Sequence, residues 1–411
     1  QDFPTTSASY DGTWNTTNLN WASEVNGDFT DAIAAMPTGQ TWVAWDNSDE
    51  NSIAFLPEYS DGARANLTLT DNIFVHHIIV DEDPRPAGFN RGHQLFAENT
   101  EELTFHGQGR ITYDNGSNNH RFEIWLPINA PEGFILQGSG SGYLRTRVAM
   151  PGIEGEVVLR KRLLIQKQMP NVGTWHVDGG NLDIDHSDNP VFSPSGDTVI
   201  RLGHMGIWRS NMGNSNVDDA IDQLQLYNGG GILDLASGNN SARVRITNAN
   251  PIERPAGHTL NVIASNSDEL RNQIILTNNP YPTDTVIPWL GGNNGLPLGF
   301  GMDVSDDTLI TLPVTTFDSS NDAFDFTSDK NYRLLDSANP VQNYKVKGNT
   351  DTPINFFGVE TRTNEPVLEI SDGVTLTITS GQLKLDGVTA NSLDVRGGWL
   401  TTPADTLYIG G

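Results

Sequence analysis

Two acidic stretches carry the residue types that bind cations or move protons. Asp318, Ser320, Asp322 and Asp329 fall at offsets 1, 3, 5 and 12, the ligand spacing of a twelve-residue calcium loop. Ala323 stands where such a loop needs glycine, Phe326 occupies a place usually held by a polar ligand, and no flanking helices are predicted. Asp303, Asp306 and Asp307 form a second acidic loop. Calcium is the one ion these residues would suit, but an ordinary exposed loop accounts for them more simply. Asp183 and Asp185 share one face of a predicted strand, with His186 and Asp188 just beyond. Two carboxylates on one face can serve as acid and base. A solvated polar face on an acidic protein explains the same residues at less cost.

Other signatures of catalysis fail on inspection. His76 and His77 are adjacent, so on a strand they should point to opposite faces, one inward and one solvated, and cannot share a metal. Gly138-Ser139-Gly140-Ser141-Gly142 has glycine at the centre, where a nucleophile elbow needs serine. Neither a GxxxxGK[ST] phosphate loop nor an HExxH pair is present. The sequence therefore assigns no catalytic, cofactor-binding or metal-ligating residue, and the expectation is a protein that is not an enzyme and needs no cofactor.

The elements that would position these residues are short strands. Val374, Leu376 and Ile378 alternate with Thr375, Thr377 and Thr379, the period-2 pattern of a half-buried strand. After a Ser-Gly turn Leu383 and Leu385 alternate with polar residues, as do Leu393 and Val395, then Leu407 and Ile409. A Gly-x-Leu pattern recurs at Leu144, Leu182, Leu233, Leu383 and Leu400, with glycine permitting a turn and leucine entering the core just after it. The last two leucines are 400 − 383 = 17 positions apart, which suggests the length of one coil. Val157 to Gln166 fits neither period cleanly and reads as a bulged strand or a helix. Thr30 to Met36 could form one helical turn. Short strands and glycine turns with few helices describe a β-solenoid: all-β, a right-handed parallel β-helix with long loop excursions.

Composition sets the boundaries. The 411 residues include 41 glycines, and charged residues are only 18%, a mix suited to turn-dense β structure. A formal charge of −27, from 51 acidic and 24 basic residues, opposes binding to phosphate backbones, so no nucleic-acid partner is expected. Absence of cysteine excludes disulfides, thiolate zinc sites and cysteine nucleophiles. No apolar run is long enough to span a bilayer. Gln1-Asp2-Phe3-Pro4 reads as a mature end exposed by signal-peptide removal. Trp14, Trp21, Trp42 and Trp45 crowd the first 60 residues, where they are expected to cap the first coil; the competing reading is a platform for sugar rings. Sequons at Asn15-Thr16-Thr17 and Asn66-Leu67-Thr68 are what an asparagine-rich chain generates by chance.

Several stretches resemble the autotransporter-associated β-strand repeat proteins, large secreted solenoids of Gram-negative bacteria with planctomycete and verrucomicrobial relatives. The opening Gly12-Thr13-Trp14 and Asn20-Trp21 looks like the start of their passengers. Gly173-Thr174-Trp175-His176-Val177-Asp178-Gly179-Gly180-Asn181-Leu182 is similar to their repeat. Ile287-Pro288-Trp289 with Asn331-Tyr332-Arg333-Leu334, and the tail from Leu376 to Ile409, continue the likeness, which covers about two-thirds of the chain. The resemblance implies a parallel β-helix, secretion, and a structural or adhesive role at the cell surface; it brings no catalytic residues. Unlike that family, no C-terminal membrane barrel is seen in this sequence.

The expected organisation is an aromatic-rich cap with the first strands over 1–66 and a solenoid over 67–250. A loop-rich solenoid segment over 251–366 and regular coils with an uncapped end over 367–411 complete it. The expected setting is extracellular, or the surface of a Gram-negative-type bacterium. The expected partners are further copies of the chain, stacked into a filament or lattice, and surface glycans. The alternative is an extracellular carbohydrate-active β-helix enzyme or a glycan-binding module.

Overall fold

The computed structural model describes residues 9–17, 21–22, 42–43, 45–56, 64–82, 93–115, 120–185, 191–192, 196–210, 217–235, 242–263, 272–282, 285–292, 298–300, 309–312, 315–318, 326, 328–335, 343–346, 352–361, 367–387, 394–402 and 408–410. Among the described residues the chain is all-β, without a helix. It divides into two compact units: Gln1–Leu202 with Gly206–Asp222, and Gly203–Met205 with Gln223–Gly411. The helical turn expected over Thr30 to Met36 lies outside the described residues.

In the first unit the chain visits two parallel sheets alternately. The first sheet runs Ser9–Trp14, Arg64–Leu69, Gln94–Ala97, Arg121–Ile124, Tyr143–Thr146, Arg162–Ile165, Asn181–Ile184, Gly206–Arg209. The second runs Ile53–Leu56, Ile73–Glu82, Leu103–Asn115, Gly133–Gln137, Glu156–Leu159, Thr174–Asp178, Val199–Gly203. Spatial order equals chain order in both, so each strand bonds to the strand of the same sheet visited before it and to the one visited after it. Parallel strands cannot be joined by a two-residue hairpin, and the strand of the other sheet forms part of each crossover.

Register brings equivalent residues into columns. In the first sheet Phe122, Leu144, Leu163, Leu182 and Trp208 lie side by side and are all fully buried. In the second sheet Ala54, Ile78, Ile111, Leu136, Leu159 and Val177 do the same. Each buried leucine or isoleucine contributes about 1.5–3 kcal/mol from leaving water, so these columns dominate the stability of the unit. Aromatic residues fill the wider gaps: Phe192 meets Trp175 and Trp208 edge-on, with ring centroids 6.4 and 5.9 Å apart.

The stretch from Val157 to Gln166 has no single period because it holds two strands. Glu156–Leu159 belongs to the second sheet and Arg162–Ile165 to the first, with the corner at Arg160-Lys161. Lys161 is buried at that corner, its Nζ donating to the Ser139 carbonyl and lying 4.8 Å from the centre of the Tyr113 ring. The polar residues interrupt the apolar pattern where the backbone turns.

The second unit repeats the parallel pairing. Gly230–Asp234, Thr259–Ile263 and Leu290–Gly292 form one set of paired strands, and Ala242–Ile246 pairs with Asn272–Leu276. Thr315–Asp318, Asn331–Leu335, Phe356–Thr361, Gln382–Gly387 and Tyr408–Gly410 form another. Val367–Ile378 carries Asn343–Val346, Thr352–Ile354 and Asp394–Thr401. The expected alternation holds there, with Val374, Leu376 and Ile378 buried in a core with Ile354, Phe357 and Leu383. Gln382 and Lys384, also buried, reach across to the first of these sets: Gln382 Nε2 donates to the Leu290 carbonyl (3.0 Å) and Lys384 Nζ to Asn261 Oδ1 (3.2 Å).

The Gly-x-Leu beat has the expected physical basis but not the expected period. Gly381 takes φ +74° immediately before its strand, and Leu383 then enters the core. Leu383 and Leu400, however, lie in different sheets, so their separation of 17 is not a coil length. Residues in true register around Leu383 are Phe357 and Ile409, each 26 positions away (383 − 357 and 409 − 383).

Leu163→Ala should cost about 2–5 kcal/mol in denaturant unfolding, because it opens a cavity within a continuous column, whereas Ile165→Val should cost about 0.5–1.5 kcal/mol. Equal losses for the two variants would show that the column is not a packed core.

Candidate functional site

The outward face of the first sheet concentrates the chemistry of this acidic chain. On Arg121–Ile124, Tyr143–Thr146, Arg162–Ile165 and Asn181–Ile184 every second side chain enters the core, so the residues between them face the other way. Register aligns these outward residues. One column runs Gln94, Glu123, Arg145, Leu164, Asp183, Arg209, and a second runs Arg121, Tyr143, Arg162, Asn181. Beside them Trp125, Arg147, Gln166 and Asp185 each follow the last residue of one of the four strands.

Glu123 is the hub. Its side chain is only 2% exposed although it lies on the outward face, because its neighbours fold over it. Its carboxylate accepts from Arg147 (2.7 Å), Trp125 Nε1 (3.3 Å) and Gln94, and pairs with Arg121 Nε at 2.9 Å. Burial alone would raise the Glu123 pKa. The Arg147 hydrogen bond, with the charges of Arg121 and Arg147, more than offsets that and holds it below the usual glutamate value. Glu123 is therefore a fixed anion, unsuited to donating a proton near neutral pH.

Asp183 and Asp185 are each held by neighbouring side chains on this face. Asp183 is fully buried and gripped by Arg162 Nε and Arg209 Nη1, the latter at 3.2 Å. Asp185 accepts from Gln166 and stands 3.6 Å from Arg145. A carboxylate held between two guanidiniums has little freedom to move. His186 and Asp188 lie outside the described residues.

Arg145 is less well served. Its two terminal nitrogens lie 3.7 Å from Glu123 and 3.6 Å from Asp185, beyond hydrogen-bond length, and its Nε is buried without an acceptor. Burial, and then the Arg147 charge, lower the pKa of its guanidinium against the pull of Tyr143 and Glu123. Two further arginines stack on aromatic rings, Arg147 over Trp125 at 4.9 Å and Arg162 over Tyr143 at 4.8 Å. Trp125 also stacks on Phe96, 6.0 Å away and 21° from parallel. Phe96 and Arg147 come from the strands on either side, so Trp125 shows solvent its edge more than its faces.

A smaller cluster lies on the outward face of the second sheet. His176 Nδ1 stands 2.9 Å from Glu156, and Arg201 Nη1 lies 2.7 Å from His176 Nε2. Because Arg201 can only donate, Nε2 must be the acceptor and Nδ1 must carry the proton that faces Glu156. Burial is the main reason the His176 pKa is lowered, with Arg201 adding to it against the pull of Glu156.

The other sequence-derived candidates are separated by the structure. Asp318 ends the strand Thr315–Asp318 opposite Leu335, whereas Asp329 precedes the start of that partner strand, at φ +62°. The two ends of the supposed calcium loop therefore sit roughly 15–20 Å apart along a strand pair. Phe326 is a core residue, edge-on to Tyr332 at 4.8 Å. Ser320, Asp322, Ala323, Asp303, Asp306 and Asp307 lie outside the described residues. Among the described residues no cluster of three or more potential metal ligands occurs.

His76 and His77 depart from the expected in–out arrangement because the ladder shifts register there. Val75 pairs with Phe105 but His77 with Arg110, and His76 and His77 are both half-buried. His76 Nδ1 meets the His106 carbonyl and His77 Nε2 the Thr112 hydroxyl. Of the tryptophans, Trp14 and Trp45 are buried edge-on to each other at 5.0 Å, and Trp45 Nε1 donates to the Phe74 carbonyl, so neither offers a flat face to a sugar. The Trp21 and Trp42 side chains lie outside the described set. Asn15 is buried and bonded through its amide to Thr70 and Thr17, which removes it as a glycan acceptor.

The arginine-rich face was missed by sequence reasoning, yet it left a signal. Arg121-Phe122-Glu123-Ile124-Trp125, Tyr143-Leu144-Arg145-Thr146-Arg147, Arg162-Leu163-Leu164-Ile165-Gln166 and Asn181-Leu182-Asp183-Ile184-Asp185 align as pentapeptides with buried second and fourth positions, apolar in all but Thr146. Stacking them reveals the columns. Comparisons with protein-family models, curated proteins and solved structures gave no match.

Two pH effects follow. Glu123 has a depressed pKa, so its contribution to stability is complete above the ordinary glutamate value and is lost as pH falls through its own lower one. Glu123→Gln should remove that acid limb from a plot of stability against pH, while destabilising the protein at pH 7 by leaving its arginines uncompensated. His77 is pushed down to about 4 from 6.5, first by burial and then by Arg110 and His76. Between those values the unfolded chain takes up a proton that the folded one refuses, so stability should fall as pH drops from 6.5 towards 4. His77→Gln should flatten that window; an unchanged slope would sink the assignment.

Proposed function

We propose that the chain is a right-handed parallel β-helix serving as a secreted structural or adhesive protein at the surface of a Gram-negative-type bacterium. The observation that carries this reading is the in-register stacking of parallel strands in two alternately visited sheets. Right-handedness follows from the strong preference of parallel crossover connections for that hand. Such a fold repeats a surface along its length, which suits adhesion and lattice building better than it suits a single reactive centre. The resemblance of Gly173 to Leu182 and of the tail to autotransporter-associated repeats points the same way.

The carboxylates support a non-enzymatic role. Glu123 and Asp183 are held by arginines, an arrangement that fixes both carboxylates within the face. The Ser9–Trp14 and Ile53–Leu56 strands stand at the ends of their described sheets, where a second copy of the chain could add strands and extend the stack. A second reading, a glycan-binding surface, is favoured by the arginines and aromatic edges of the first sheet. A carbohydrate-active enzyme remains the competing class.

Negative-stain microscopy of native material, run beside incubation with polysaccharides, separates these readings. Filaments or sheets with no shortening of the polysaccharide are the expected result. Discrete monomers that cleave polysaccharide would overturn the structural reading.

A further inference from the structure

We propose that the outward face around Arg145 binds an acidic polysaccharide, taking the carboxylates of its uronate sugars between Arg145 and Arg121. This names the ligand of the adhesive surface and so rests on the adhesive part of the function proposed above.

Three observations lead to an anion. Arg121, Arg145, Arg147, Arg162 and Arg209 gather on one face, against Glu123, Asp183 and Asp185, in a chain whose overall charge is −27. Most of these cations already pair with a carboxylate of the chain: Arg162 and Arg209 with Asp183, Arg147 with Glu123, and Arg121 with Glu123 through its Nε. Arg145 is the exception, since both its nearest carboxylates stand beyond hydrogen-bond length and its Nε has no acceptor. A cation that is only 14% exposed and has no hydrogen-bonded carboxylate is incompletely compensated, and an incoming carboxylate that reaches its terminal nitrogens adds that compensation.

The layout identifies a polymer. Arg121, Arg145, Arg147 and Arg162 belong to three neighbouring strands or to the residue directly after one, so a chain lying across the strands meets a cation on each over about 10 Å. Several weak contacts along one molecule add through effective concentration, whereas a single free anion gains only one of them. The edges of Trp125 and Tyr143 lie among these arginines and supply apolar contact for sugar rings.

Charge density argues for a polysaccharide over nucleic acid. Duplex DNA carries one negative charge per about 1.7 Å, and the carboxylates set among these arginines would repel so dense a polyanion. A uronate polymer carries at most one charge per sugar. Its hydroxyls donate to carboxylates as readily as they accept from guanidiniums, so the alternation of donors and acceptors on this face suits it.

The test is affinity electrophoresis or calorimetry of the whole chain with polygalacturonate, neutral dextran, sodium acetate and duplex DNA at about 0.15 M salt. Polygalacturonate should bind, dextran and DNA should not, and acetate should compete only at concentrations far above those of the polymer's own carboxylates. Arg145→Gln should weaken polymer binding about tenfold or more, and Arg121→Gln, at a more exposed position, should weaken it several-fold. Arg201→Gln on the other sheet should leave it unchanged. Circular dichroism confirms that each variant is folded; if Arg145→Gln is not, Arg121→Gln and the loss of wild-type binding at high salt carry the decision. Equal binding of dextran, tighter binding of DNA, or unaltered binding by both variants would overturn the inference. Microscopy of the same samples reports assembly independently, so failed glycan binding beside intact filaments removes this inference without removing the structural role.

Discussion

Parallel hydrogen bonding in register is the constraint on which the rest depends. When a strand bonds to its predecessor with no slip, each residue lies about 4.8 Å from its equivalents in the neighbouring strands. A side chain must then be compatible with two near-copies of its own position. Apolar residues satisfy this at once, which is why Phe122, Leu144, Leu163, Leu182 and Trp208 make one unbroken buried column. Charged residues satisfy it only when their signs alternate or a neutral residue intervenes. The column Glu123, Arg145, Leu164, Asp183, Arg209 uses both devices.

The outward face is therefore a product of the same rule as the core. Tyr143 receives the Arg162 guanidinium and Trp125 that of Arg147 because register sets planar groups one strand apart. Glu123 is buried on the solvent side of a sheet because the side chains around it are long enough to close over it. What begins as a stacking requirement ends as a cationic and aromatic surface on an otherwise acidic molecule.

Much of the architecture was legible in the sequence. Alternation at Val374, Leu376 and Ile378 gave a strand and its buried face correctly, and glycine density pointed to β structure throughout. The stretch from Val157 to Gln166 was opaque because a corner at Arg160-Lys161 splices two period-2 patterns belonging to different sheets. The spacing of 17 misled for a related reason: Leu383 and Leu400 share a motif but not a sheet. The arginine face escaped because its members are scattered from Arg121 to Arg209, and only register, which is a long-range property, assembles them. Of the calcium spacing only the two ends are placed, Asp318 at the close of one strand and Asp329 two residues before its partner, because Ser320 and Asp322 lie outside the described residues.

The length of chain between register partners is not constant. Leu163 and Leu182 are 19 residues apart, whereas Leu182 and Trp208, the next step in the same column, are 26 apart. The additional residues are accommodated between strands without moving the column. Insertions in the connections are thus nearly free, whereas a single inserted residue inside a strand would turn its core face outward. Sequence drift in such a protein should be uneven in kind: indels accumulating between strands, and substitution alone within them. Foreign peptides grafted into the connections would inherit the same tolerance, giving displays at fixed spacing along the sheet.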